Sequence, residues 1–135
     1  ATMTYGPLCG GILTGKYKRG QPPPAGSRFS TERLGKEYLT EETFDMVEKL
    51  EEIAARNGMA INQLALKWVL SKDFITTPIL GGSRPEHFEP MYQLDDLTVA
   101  PEDLRLIDEI SAKYRFQDYA NQPIVDGYAP APNRW

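Results

Sequence analysis

Apolar residues recur at helical spacing from Phe44 through Val47, Leu50, Ile53 and Ala54. Positions three and four apart share one face, so this run predicts an amphipathic helix. Thr40 stands ahead of it as N-cap, Glu41 and Glu42 fill its first turn, and Asn57-Gly58 supplies the stop. Leu64, Ala65, Trp68 and Val69 predict a second helix, capped by Asn62. A third opens at Pro101-Glu102-Asp103, with Leu104, Ile107 and Ile110 facing inward. Residues 74–80 are rich in β-branched positions and predict a strand. Pro78 should lie near its end, because proline cannot donate to a ladder. Residues 2–6 predict another strand, buried on both sides. Pro85 opens a short helix, 87–93, in which Pro90 is a kink or a stop. Residues 95–100 read as a linker.

Two stretches carry no period. Residues 9–39 hold many glycines and the run Pro22-Pro23-Pro24, and predict a long loop. Within it, 18–39 reads equally as a functional loop or as a mobile surface excursion. Residues 114–135 mix aromatics and prolines and read as a tail. The order is strand, long loop, helix pair, strand, short helix, helix, tail. Two strands separated by helices must pair in parallel through a crossover. A two-stranded parallel sheet cannot cover both of its own faces. The chain therefore needs further strands, from a missing segment, a second chain or self-association.

Composition narrows the classes. The 135 residues, 41% hydrophobic and 25% charged, suit one soluble globular domain. A net charge of −4 with scattered basic residues argues against a nucleic-acid partner. No apolar stretch is long enough for a membrane span, and no signal-peptide pattern is present. A single cysteine excludes an internal disulfide framework and points to a reducing, cytoplasmic setting. One His and one Cys do not assemble a zinc site, so no metal is expected. The first residue is Ala, as in a processed chain or a piece of a longer protein.

The chemistry-bearing signal is a pair of glycine runs. One is Tyr5-Gly6-Pro7-Leu8-Cys9-Gly10-Gly11-Ile12-Leu13-Thr14-Gly15-Lys16; the other is Gly81-Gly82-Ser83-Arg84-Pro85-Glu86-His87. Each follows a predicted strand. Together with Asn62-Gln63-Leu64-Ala65-Leu66-Lys67-Trp68, they closely resemble the last strand-loop units of the aldo-keto reductase family. The resemblance covers about residues 1–112. It implies an α/β fold: a partial (β/α)8 TIM barrel made of the seventh and eighth strand-helix units. Residues 113–135 would follow as a C-terminal tail.

The resemblance also implies roles. Tyr5 matches the aromatic that stacks on a nicotinamide ring, although an aromatic at a strand end is also ordinary core. Gly6, Pro7, Leu8, Gly10, Gly11 and Leu13 match the loop whose backbone wraps the cofactor's phosphates, where glycine permits close approach. Gly81, Ser83, Arg84 and His87 match the second cofactor loop. Arg84 there suits the 2′-phosphate of NADP(H) through its fork of donors, with a helix start at Pro85 adding a favourable dipole. A solvated surface arginine is the plain alternative. Gly6, His87, Pro90 and Met91 depart from the family pattern, the last three at the adenine end. Cys9 reads as a reactive thiol or, more simply, as a small buried residue. No segment resembles the half of the barrel that carries the family's Tyr, Lys, Asp and His, so no catalytic residue is carried over.

The expected function is therefore the cofactor-binding C-terminal part of an NADP-dependent aldo-keto reductase. Its complete barrel would reduce an aldehyde or ketone carbonyl. The alternatives are an inactive, aldo-keto-reductase-like module that regulates by association, and a truncated reductase recruited to a non-redox reaction.

Overall fold

The computed structural model describes residues 1–112; the predicted tail lies outside them. The elements are β1 (Met3–Tyr5), α1 (Glu32–Tyr38), α2 (Glu41–Arg56), α3 (Ile61–Leu70), β2 (Thr77–Ile79) and α4 (Pro101–Ala112). Short 3-10 segments cover Cys9–Thr14, Pro85–His87 and Glu89–Asp96. No helix of the described residues is long and apolar enough to cross a membrane.

The centre of the molecule is α3. Leu64 and Leu66 are 1% and 0% exposed. Residues two apart on a helix project about 200° apart, so burial of both means that α3 is covered on opposite flanks. It packs against α2, β2 and two of the 3-10 segments. α2 presents Val47, Leu50, Ile53 and Ala54, as the spacing predicts. Its N-cap also holds: the Thr43 N–H donates to Thr40 Oγ1 at 3.2 Å. α3, by contrast, begins two residues earlier than an Asn62 cap suggests. Ala60 stands at the cap, and the Gln63 side chain reaches back to accept from its N–H at 2.9 Å. The Gln63 amide then donates to Pro90 O at 2.7 Å, tying the helix start to the last 3-10 segment.

Buried polar groups fasten α4. Asp103 is buried and accepts from Arg56 Nε at 3.2 Å, from a second Arg56 nitrogen, and from Asn57 Nδ2 at 2.6 Å. Asn57 Oδ1 also accepts from the Ala100 N–H at 3.2 Å, so one side chain closes α2 and starts α4. At the far end, Trp68 Nε1 and Lys72 Nζ both donate to Asp108, at 2.9 and 2.7 Å.

Several sequence expectations need correction. The strands are three residues each, shorter than 2–6 and 74–80. Pro78 is the middle residue of β2, which is tolerable because β2 is an edge strand. The strand expected to be buried on both sides is open on one: Met3, Tyr5 and Ile79 are 65%, 57% and 41% exposed. Thr4 and Pro78, which alternate with them, are half-buried. The two strands lay one face towards α3, and the other stays largely exposed among the described residues. The long loop contains a helix, α1, with no fully buried residue; Leu34 packs on the core, but one such position in seven residues writes no apolar period. The helix predicted over 87–93 is instead two 3-10 segments. Pro90 sits at the start of the second, where its missing N–H is no loss.

Two outcomes follow from this packing. Leu64→Ala should cost about 3 kcal/mol in urea unfolding, because the site is closed on every side and cannot collapse. The Arg56 guanidinium, and then the Asn57 amide, hold the Asp103 carboxyl below the usual carboxylate range. A depressed folded value means that this stabilisation is complete above the unfolded carboxylate range near 4 and fades as pH falls through the folded value. Asp103→Asn should therefore be less stable than wild type at pH 7, with the gap narrowing below about pH 4 in thermal melts.

Candidate functional site

β1 and β2 pair in parallel, with Met3 opposite Thr77 and Tyr5 opposite Ile79. Their carboxyl ends therefore lie side by side. The loops that begin at Gly6 and at Leu80 leave the same edge, although the sequence separates them widely. Crevices at the carboxyl ends of parallel strands are where α/β folds bind ligands.

The first loop is a stack of tight turns. The Cys9 N–H donates to Gly6 O at 2.9 Å, and Leu8 O accepts from Gly11 and Leu13 at 2.9 and 3.2 Å. The backbone then runs left-handed through Cys9, Gly10 and Gly11, with φ of 49°, 64° and 101°. Both glycines suit the positive φ, and at Gly10 space is short as well. A Cβ on Gly10 would lie 3.1 Å from both Phe29 Cζ and Arg28 Cδ. A Cβ on Gly11 would lie 2.9 Å from Lys16 Nζ. Cys9 is exposed rather than a small buried residue, and it holds its left-handed φ without glycine's freedom.

Two cations thus stand beside the turn. Lys16 lies against Gly11 and also over the Tyr17 ring, with Nζ 5.1 Å from its centroid. Arg28 lies against Gly10. Neither was singled out from sequence as a site residue. Lys16 sits inside the quoted motif, but Arg28 lies in the stretch without period, and only the returning chain brings it to Gly10. Paired cations beside glycine backbone form a setting that favours a bound anion.

The second loop is more open. Gly82 carries the Phe88 ring so closely that a Cβ there would lie 2.8 Å from it. Gly81 faces open space, and Ser83, Arg84 and His87 are exposed. Arg84 is extended and hands over to a 3-10 turn of only Pro85–His87. The favourable dipole expected at Pro85 is not available from so short a turn, because few peptide units align in it. Of the eleven candidate residues, Tyr5 through Leu13 form the first loop and Gly81 through His87 the second. The parallel register sets both at one edge of the sheet. Tyr5 ends β1 with its ring on the open face.

The chain is similar to several known proteins. The chain is 41% identical over 115 residues to a Schizosaccharomyces pombe protein described as a putative voltage-gated potassium channel subunit beta. That match covers 78% of this chain and 32% of the relative. It is 35% identical over 113 residues to the L-glyceraldehyde 3-phosphate reductase of Escherichia coli, covering 79% of this chain and 32% of that protein. The chain thus spans about a third of the length of these curated relatives. In fold it is similar to the glycerol dehydrogenase of Gluconobacter oxydans, with a TM-score of 0.65 at 22% identity over 93% of this chain and 37% of that one. Residues 1–112 match the Aldo/keto reductase family, and with relatives at this level of identity the chain belongs to that family.

Proposed function

We propose that this chain is the cofactor-binding, C-terminal portion of an NADP-dependent aldo-keto reductase. It would supply the seventh and eighth strand-helix units of a (β/α)8 barrel. The observation that carries the reading is the parallel register, which sets both glycine loops at one edge of the sheet. The residues present suit NADP(H). The turn at Gly10 and Gly11 runs at positive φ, and Lys16 and Arg28 lie beside it where a pyrophosphate needs countercharge. Exposed Ser83 and Arg84 suit a 2′-phosphate, and exposed Tyr5 suits the nicotinamide ring. In the complete barrel, an aldehyde or ketone carbonyl would gain hydride at carbon and a proton at oxygen, leaving an alcohol. The cofactor contributes only that hydride. The proton donor and its partners belong to the strands that this chain does not resemble.

The exposed face of Met3, Tyr5 and Ile79 supports a requirement for those further strands. They would come from the rest of a longer polypeptide, a second chain or self-association. The single cysteine supports a cytoplasmic setting. A second reading, an inactive module that works by association, draws on the Schizosaccharomyces pombe relative, which is described as a channel subunit. Met91, where the family pattern has an Asn suited to adenine, and Pro90, where it has a helix-forming Glu, also favour it.

Titration of the purified chain with NADPH and NADH, followed by nicotinamide fluorescence, separates the readings. NADPH should bind, and Arg84→Gln should weaken it about tenfold, as expected for one lost charge-assisted contact, while leaving NADH unchanged. Binding of neither nucleotide would overturn the cofactor reading in favour of the association module.

A further inference from the structure

Residues 18–28 form an excursion whose two ends meet. Tyr17, just before it, and Phe29, just after it, are 3% and 4% exposed, and their rings touch edge to face with centroids 5.4 Å apart. Such closure of a surface segment on its own end residues is the mark of a compact Ω-loop. The pair also lies directly under the glycine turn. Phe29 Cζ is 3.1 Å from the place of a Cβ on Gly10, and Tyr17 Cε2 is 3.9 Å from that on Gly11. Lys16 and Arg28, the two cations at the turn, are the chain neighbours of these two rings.

The excursion is braced from outside. Arg19 donates to Glu48 at 2.9 Å and to Asp45 at 2.6 Å, reaches Glu41, and lies over the Phe44 ring. Lys18 pairs with Glu51 at 2.8 Å. These contacts tie the early part of the excursion to α2. The late part rests on Phe29, whose ring is backed by Tyr38 of α1 at 5.3 Å. A Cβ on Gly35 would lie 3.1 Å from Phe29 O, so α1 comes close to Phe29 because it has a glycine there. α1 has no fully buried residue; Leu34 rests on the core, while Gly35 and Tyr38 meet Phe29.

We propose that Phe29 is a positioning residue for the phosphate-facing turn: its ring supports Gly10 and, through Tyr17, couples the placement of Arg28 to that of Lys16. The ligand side of this inference rests on the cofactor reading above; the coupling of the two cations does not. Shortening Phe29 would leave Gly10 unsupported and let the ends of the excursion part. Each cation would then sample its own positions, and the countercharge would no longer be preorganised.

The test uses the full chain with Phe29→Ala, Phe29→Tyr as the conservative rescue, and Tyr17→Phe. The Tyr17 hydroxyl is buried without a partner among the described residues, so its removal keeps the ring pair. Leu64→Ala serves as a control for general destabilisation. The first readout is native-state trypsin cleavage, mapped by mass spectrometry after Lys16 and after Arg28. The second is affinity for NADPH and for inorganic pyrophosphate. Phe29→Ala should speed both cuts together and weaken both ligands by at least about tenfold, the cost of losing one charge-assisted contact. Phe29→Tyr and Tyr17→Phe should stay near wild type, and Leu64→Ala should leave affinity unchanged. Faster cutting after Arg28 alone, or affinity losses no larger in Phe29→Ala than in Leu64→Ala, would overturn the inference. Coupled cutting in a wild type that binds neither NADPH nor pyrophosphate would support the positioning role and remove the cofactor reading.

Discussion

Parallel strands cannot be joined by a tight turn, because the chain must return to the starting end before it can pair again. β1 and β2 are joined through residues 6–76, and that return path is most of the molecule. It passes through α1, α2 and α3, with α3 lying between α2 and β2. The same requirement fixes where the loops go. Strands that run the same way end at the same edge, so the two glycine runs become neighbours through the pairing of Tyr5 with Ile79. Burial of α3 on opposite flanks is the counterpart of this geometry: a crossover helix must satisfy the sheet on one side and the outer helix on the other.

Polar contacts act as fasteners on this frame. Asn57 is both the stop of α2 and a partner of Asp103 and Ala100 in α4, so a single amide joins two helices. Gln63 joins the start of α3 to the segment that carries Pro90. These groups are buried or partly buried, and each has a partner, as buried polar groups require. Around Arg19 the contacts are more exposed, and three carboxylates share one guanidinium. Pairs of this kind contribute little singly, and more as a network on a loop that few apolar contacts hold.

The open face of the sheet and the length of the relatives point the same way. Met3, Tyr5 and Ile79 leave one face of the sheet exposed, and the chain spans about a third of the relatives it matches. Family membership speaks for the class of chemistry, and Gly6, His87, Pro90 and Met91 are where this sequence departs from the family pattern. Fold alone would not assign a reaction. The turn at Gly10 and Gly11, with its two flanking cations, is the local feature that carries chemical meaning here.

By itself the sequence determined the long helices and the identity of the glycine runs. α2 and α4 could be read because a buried face writes a 3.6-residue period and capping residues mark the ends. Strand positions were legible, but their extents were not, since three paired residues in a two-stranded sheet leave most of a β-favouring run outside the ladder. α1 was illegible because a short helix with no fully buried residue writes no period; Leu34 on the core and the contacts with Phe29 give it a place. Nor could the sequence bring Arg28 to Gly10 or Phe29 to Tyr17. Those contacts depend on where an irregular loop returns, and that is decided by long-range packing on α2 and α1, which no local propensity encodes.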